Sequence, residues 1–72
     1  MRERGTVISW NNAEGYGRIQ SDAGDVLWSH FSFINMDGFK ALGPGQRVEF
    51  TRMTDVPAPP DERPQAWDVT LR

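Results

Sequence analysis

The chain has 72 residues, no cysteine and a formal net charge of −2. A domain of this size buries only about 60% of the surface of its unfolded chain, so a multilayer enzyme core is excluded. The lack of cysteine excludes disulfides and thiolate metal sites. The eight Lys and Arg residues form no basic run, which excludes binding of polyanions through overall positive charge.

The first half of the chain predicts three strands joined by turns. Gly5–Trp10 is rich in β-forming residues and ends at the turn-prone pair Asn11-Asn12. Gly15–Gln20 is the second predicted strand. Ser21–Asp25 contains a glycine and suits a hairpin loop that leads into a third strand, Val26–His30.

The second half predicts two further strands separated by a long loop. Phe31–Ile34 is expected to form a short turn of helix, and a glycine-containing loop over 35–45 leads to the fourth strand, Gln46–Met53. Four of the five prolines fall within 54–64, so this segment cannot join a sheet and is predicted to be a long, acidic, extended loop. Gln65–Leu71 alternates well and is the fifth strand.

The sequence has five short strand-like segments and no apolar pattern with the period of a helix, which predicts an all-β fold. A closed or nearly closed antiparallel barrel is favoured, because closure removes exposed sheet edges. Residues 1–72 are expected to form a single domain. The alternation of the fifth strand groups Trp67 with Val69 and Leu71, which predicts core or rim packing for that ring. Phe33 and Phe50 are predicted to lie in the core.

Period-two alternation also predicts one unusual surface. In the hairpin of the second and third strands, Leu27 and Ser29 are expected to point inward. The outward set is flat and mostly uncharged: Tyr16, Arg18, Trp28 and His30. Such groups are costly to leave in water without a flat partner, and every nucleobase has a π-face. A platform for single-stranded nucleic acid is therefore the first hypothesis.

Several blocks of the chain resemble the cold-shock domain family in the right order and spacing. They are residues 5–11 (GTVISWN), 14–19 (EGYGRI) and 27–32 (LWSHFS). The resemblance covers nearly the whole chain and implies a five-stranded antiparallel barrel of the oligonucleotide-binding (OB) type. It also implies binding of single-stranded RNA or DNA, as an RNA chaperone or a regulator of transcription or translation.

The resemblance assigns candidate binding residues position by position. The rings that align with base-stacking positions of the family are Tyr16, Trp28, His30, Phe31 and Phe39. Trp10 aligns with a family Phe and is expected to add ring area near Ser9. Arg18 and Lys40 are expected to contact phosphates or bases.

The chain also departs from the family pattern at the same surface. The family's Lys and Trp on the first strand align with Ile8 and Ser9, a motif Lys with Glu14, and a polar Asp with Val26. Arg18 stands where the family has a ring. An alternative therefore remains open, namely a protein-interaction module that keeps the barrel and has weakened or lost nucleic acid binding.

The sequence predicts no enzyme, metal site or cofactor. His30 is the only histidine, and it has no Cys, second His or paired carboxylate at metal-ligand spacing. The acidic residues of the turns are expected to be solvated: Asp22, Asp25, Asp61 and Glu62. No apolar run approaches the roughly 20 residues of a membrane helix, and no signal peptide core is visible. We expect a cytoplasmic monomer with no membrane or small-molecule partner.

Overall fold

The computed structural model describes residues 2–35 and 42–71, which form five strands and two short 3-10 helices. The strands are β1 (Glu3–Asn11), β2 (Tyr16–Ser21), β3 (Val26–His30), β4 (Arg47–Met53) and β5 (Gln65–Leu71), and the 3-10 helices are Phe31–Phe33 and Pro60–Glu62. All five predicted strands are confirmed, and the bounds of β3 and β5 are those predicted. Neither of these described helices is long or apolar enough to cross a membrane.

The strands close into a barrel in the order β1-β2-β3-β5-β4. The predicted all-β, five-stranded barrel is confirmed. The neighbouring strands pair antiparallel except for one pair, because β3 and β5 pair in parallel, with Trp28 opposite Gln65. An odd number of strands cannot alternate in direction around a closed ring, so at least one neighbouring pair must be parallel.

Alternate residues of the strands fill the barrel. Phe50 and Ile19 are among the largest fully buried side chains, and the assignment of Phe50 to the core is confirmed. The buried apolar residues are Val7, Ile19, Leu27, Ile34, Leu42, Val48, Phe50, Ala66 and Val69. The hydroxyl of Ser29, which is also buried, donates to the carbonyl oxygen of Ala66 at 3.2 Å. Because this hydrogen bond is made, burying the hydroxyl in the core costs little free energy of folding.

The first two strands approach each other closely at Gly17. A Cβ atom at this position would collide with the carbonyl oxygen of Ser9 and with the Trp10 ring. The register of β1 against β2 also shifts between Val7 and Ser9, which leaves Ile8 as the extra residue of a β-bulge. Ile8 and Ser9 are consequently both exposed.

Ion pairs tie the β2–β3 turn to β4 at one end of the barrel. Arg52 donates to both carboxylate oxygens of Glu3, at 2.7 and 2.8 Å, and to Asp25 at 3.0 Å. Arg47 donates to Asp22 at 2.8 and 2.9 Å. The hydrogen bonds to Glu3, with a smaller contribution from Asp25, raise the pKa of Arg52 above its ordinary value. Asp22 and Asp25 therefore bind arginines, where the sequence predicted only solvated turns.

The proline-rich segment 54–64 contributes no ladder between β4 and β5. It holds the second 3-10 helix, which lies against β3, and its Ala58 N–H donates to the carbonyl of Val56. At its end the carbonyl of Pro64 accepts a hydrogen bond from the Trp28 N–H at 2.9 Å. The segment is therefore fastened beside the strand that carries Trp28.

Candidate nucleic-acid interface

The hairpin of β2 and β3 presents its large side chains in two facing pairs. Tyr16 lies opposite His30, and Arg18 lies opposite Trp28. Leu27 and Ser29 are fully buried and the four facing residues are half-buried, so the predicted inward and outward sets are confirmed. Pairing runs without a bulge from Tyr16 to Gln20, which is why simple alternation holds here.

The rings of this hairpin lie in one row with similar tilts. The ring centroids of Tyr16 and Trp28 are 6.0 Å apart with planes 25° from parallel, and those of Trp28 and His30 are 5.8 Å apart at 22°. Phe31 follows, 4.4 Å from His30 at 41°. We call these four residues, Tyr16, Trp28, His30 and Phe31, the ring face.

Gly15 positions Phe31. The Phe31 N–H donates to the carbonyl of Gly15 at 2.8 Å, and the Phe31 ring lies directly against this glycine. A Cβ atom at position 15 would stand 2.7 Å from the Phe31 ring, and the backbone φ of +78° is one that favours glycine. Phe31 is nevertheless 47% exposed. The glycine therefore fixes one edge of an exposed ring and leaves the rest open.

His30 also caps the 3-10 helix that carries Phe31. Its Nδ1 accepts from the Ser32 N–H at 3.3 Å and lies 2.9 Å from the Ser32 hydroxyl oxygen. Because Nδ1 is an acceptor, the neutral ring carries its hydrogen on Nε2. The imidazole is thus held by one nitrogen and has a donor on the other.

Two further rings join the ring face, and sequence reasoning missed both. Phe33 stacks on Trp67 with centroids 4.3 Å apart and planes 16° from parallel. Phe33 also contacts Trp28 at 6.0 Å in an edge-to-face arrangement and His30 at 5.8 Å. Phe33 is only half-buried and Trp67 is 38% exposed, so the assignment of Phe33 to the core is wrong, and of the two placements predicted for Trp67, core or rim packing, the structure shows packing at the rim.

A break in the alternation of β5 turns Trp67 outward. Asp68 has a φ of +52°, and the register against β4 shifts between Glu49 and Thr51. Ala66 and Val69 are therefore buried, while Trp67 between them faces solvent. Asp is rare inside strands and tolerates this left-handed backbone. Asp68 was thus the one signal in the sequence that could have revealed the irregularity.

The side chains of two residues distant in sequence, Arg2 and Asn35, hold Asp68 in place. Arg2 donates to its carboxylate at 3.0 Å and to its carbonyl oxygen at 2.9 Å. The amide of Asn35 donates to the other carboxylate oxygen at 3.1 Å.

An open cleft of about 380 Å³ borders the ring face between β1 and β2. Its lining residues are Ser9, Trp10, Asn11, Tyr16, Gly17 and Arg18. Trp10 is half-buried and packs against the core, so it forms a fixed wall of the cleft. The cleft brings three of the predicted binding residues together, Trp10, Tyr16 and Arg18.

Most arginines of the described residues are engaged in ion pairs. Arg2 and Arg4 bind Glu49, Arg2 also binds Asp68, and Arg47 and Arg52 bind the carboxylates named above. Within the same ranges, Arg18 and Arg63 have no carboxylate partner. Phe39 and Lys40, two predicted binding residues, lie outside the described residues.

The fold and its surface define a class of protein. A closed five-stranded barrel that presents a row of rings on two adjacent strands is typical of small OB-type domains. Residues 3–72 match the model of one family, described as the 'Cold-shock' DNA-binding domain. The chain belongs to this family, and the resemblance seen in the sequence is confirmed.

Curated relatives include several bacterial cold shock proteins. Cold shock protein CspC of Bacillus subtilis is 53% identical over 48 residues, which cover 67% of this chain and 73% of that protein. Cold shock protein CapB of Pseudomonas syringae is 47% identical over 49 residues, 68% of this chain and 71% of that protein. Cold shock protein 1 of Lactiplantibacillus plantarum is 40% identical over 67 residues, 93% and 94% of the two chains.

The break in β5 gives a testable prediction about Asp68. Asp68→Val should lower the free energy of unfolding by roughly 2 kcal/mol, because a β-branched residue is strained at positive φ and the contacts to Arg2 and Asn35 are lost. Asp68→Asn is the matched control and should cost less than about 1 kcal/mol, because Asn tolerates this backbone and loses only an exposed ion pair. Urea unfolding followed by circular dichroism measures both. Equal losses in the two variants would contradict the assignment.

Proposed function

We propose that the protein binds single-stranded RNA or DNA by stacking successive bases on the ring face. The observation that carries the proposal is the row of outward rings at Tyr16, Trp28 and His30, whose neighbouring centroids lie 5.8 to 6.0 Å apart with similar tilts. Membership of a family described as a DNA-binding domain supports it. A purely structural role, in which these rings would fill the core, does not fit their position on the outer side of β2 and β3.

Stacking suits this surface energetically. A base on an aromatic side chain contributes about 1–3 kcal/mol, and every base has a π-face. The rings already pack against one another and are held by the strands, so few side-chain rotamers need to be frozen when a strand binds. A rigid platform of this kind supports weakly sequence-selective binding.

Polar groups beside the rings can read the edges of bases. The Nε2–H of His30 is a donor, and the cleft between β1 and β2 offers the hydroxyl of Ser9 and the amide of Asn11. Arg18 can stack its guanidinium on a base or contact a phosphate. We propose that this cleft, where Ser9 stands in place of the family's Trp, sets the base preference of the protein.

The small number of available cations limits how strongly the protein can bind the phosphate backbone. Arg18 is adjacent to Trp28 and has no carboxylate partner among the described residues, so it is well placed for a phosphate. On the other side of Trp28, the 3-10 helix that holds Asp61 and Glu62 lies against β3. These carboxylates repel phosphates. Binding is therefore expected to depend on stacking more than on ion pairing.

The cellular role that follows is that of an RNA chaperone or a regulator of transcription or translation. A protein that binds only unpaired strands shifts the equilibrium away from duplexes by mass action. Neither a cofactor nor a catalytic group is needed for this activity. We propose that the protein acts as a monomer in the cytoplasm.

One observation favours a second candidate function, a protein-interaction module. Ile8 and Val26 are each 45% exposed, and they stand where the family has a Lys and an Asp. An apolar partner surface would suit these positions better than a phosphate. Under this alternative, single-stranded oligonucleotides bind weakly or not at all, even at low salt.

Removal of the central ring tests the stacking proposal. Trp28→Ala should weaken binding of a fluorescein-labelled pyrimidine-rich oligonucleotide by about 5- to 150-fold, the equivalent of about 1–3 kcal/mol per stacked base. Fluorescence anisotropy measures the affinity without relying on the deleted tryptophan. Circular dichroism of the variant checks that the barrel remains folded.

Leu71→Ala is the matched control for that experiment. Leu71 is 46% exposed on β5 and makes none of the ring contacts, so its variant should bind within about twofold of the original protein, since removing an exposed side chain outside the site costs little. A Trp28→Ala variant that is folded and binds as tightly as the control would contradict the proposal.

The salt dependence of binding tests the role of Arg18. With one to three phosphate contacts, the slope of log affinity against log salt should lie between about −0.7 and −2. Arg18→Gln should weaken binding and reduce the steepness by about 0.7, the loss of one contact. Arg4→Gln, which removes an arginine already paired with Glu49, should leave the slope unchanged. A similar reduction in both variants would mean that Arg18 has no special role.

A further inference from the structure

The ring face does not end at β3, because Phe33 and Trp67 extend it onto β5. Phe33 lies between Trp28 and His30 on one side and Trp67 on the other. The barrel closure between β3 and β5 brings these residues together from positions 34 apart in the chain. The outward rings of the described residues therefore form one continuous surface across three strands.

The contacts of Trp67 indicate what it can bind. One face of the indole is covered by Phe33, at 4.3 Å and 16° from parallel. The Nε1–H already donates to the Gln65 side chain at 2.8 Å. The residue is nevertheless 38% exposed, and because its Nε1–H is already bonded, its indole has no free hydrogen-bond donor to offer a ligand. A partner recognised this way needs a flat face and no particular polar edge, which describes a nucleobase.

The charged groups near Trp67 are of both signs. The neighbouring carboxylate, Asp68, is bound by Arg2 and Asn35, so most of its charge is compensated. Arg63 lies four residues before Trp67 and has no carboxylate partner among the described residues. A strand that leaves the ring face toward β5 therefore meets a paired carboxylate at Asp68, but it also passes the acidic 3-10 helix Pro60–Glu62 against β3, so its affinity there depends on stacking.

We propose that Trp67 is an additional stacking site, which takes one base of a strand that continues from the ring face onto β5. Phe33 is a positioning residue: it supports the indole and links it to Trp28 and His30. The inference rests on the proposed function, since it lengthens the same binding surface. It assigns to the chain a longer binding site than the hairpin of β2 and β3 provides.

Oligothymidylates of increasing length test the proposal. Lengths from about 4 to about 10 nucleotides span the site sizes of small OB barrels. Trp67→Ala should bind the shortest oligonucleotides within about twofold of the original protein and the longest about 5- to 150-fold more weakly, the loss of one stacked base. Trp67→Phe keeps a ring on Phe33 and should retain most of the affinity for long strands.

A direct readout avoids any dependence on the stability of Trp67→Ala. The double variant Trp10→Phe, Trp28→Phe keeps a ring at each position and leaves Trp67 as the only tryptophan of the chain. Its fluorescence should be quenched by long oligothymidylates and much less by the shortest ones.

The two proposals fail in different ways. If the original protein binds oligothymidylates but Trp67→Ala has the same affinity at every length and the Trp67 fluorescence is unchanged, the additional site is wrong and the ring face stands. If the original protein binds no oligothymidylate at any length, the proposed function fails and the additional site fails with it.

Discussion

Closure of the barrel between β3 and β5 is the constraint on which the binding surface depends. These strands are distant in sequence and run parallel, and few contacts join them. The Trp28 N–H bonds to the Pro64 carbonyl, the buried Ser29 hydroxyl bonds to Ala66, and a short bridge pairs Ile34 with Val69. An open sheet would carry the rings of β2 and β3 alone. Closure adds the rings that flank β3 on its other side.

Sequence reasoning succeeded where strand pairing is regular. The hairpin of β2 and β3 has no bulge, so period-two alternation correctly placed Tyr16 and Trp28 outward. It failed on β5 because the left-handed Asp68 inserts an irregularity that alternation cannot show, and Trp67 changed sides. Closing five strands requires one parallel pair, but which pair that is, and the contact of Phe33 with Trp67, are tertiary features that no local pattern in the sequence encodes.

An acidic chain can still carry a surface for a polyanion when its carboxylates are used elsewhere. Glu3 and Asp25 bind Arg52, and Asp68 is held by Arg2, so much of the negative charge compensates arginines around the barrel. These pairs fasten the ends of strands to one another. Arg18 remains beside the rings without a carboxylate partner among the described residues. The surface combines a large aromatic area with little positive charge. Its affinity for a nucleic acid is therefore expected to come mainly from stacking and only to a small extent from ion pairs with phosphates.

Mapping of the bound strand by NMR tests whether bases stack on the ring face. An isotope-labelled sample titrated with a short oligothymidylate reports every backbone amide and each indole Nε1–H at once. Stacking on the ring face should give the largest chemical shift changes on β2, on β3 and on the 3-10 helix Phe31–Phe33, with small changes around Arg47, which binds Asp22 of the β2–β3 turn. Changes concentrated on β1 and β4, with the ring face unaffected, would contradict it.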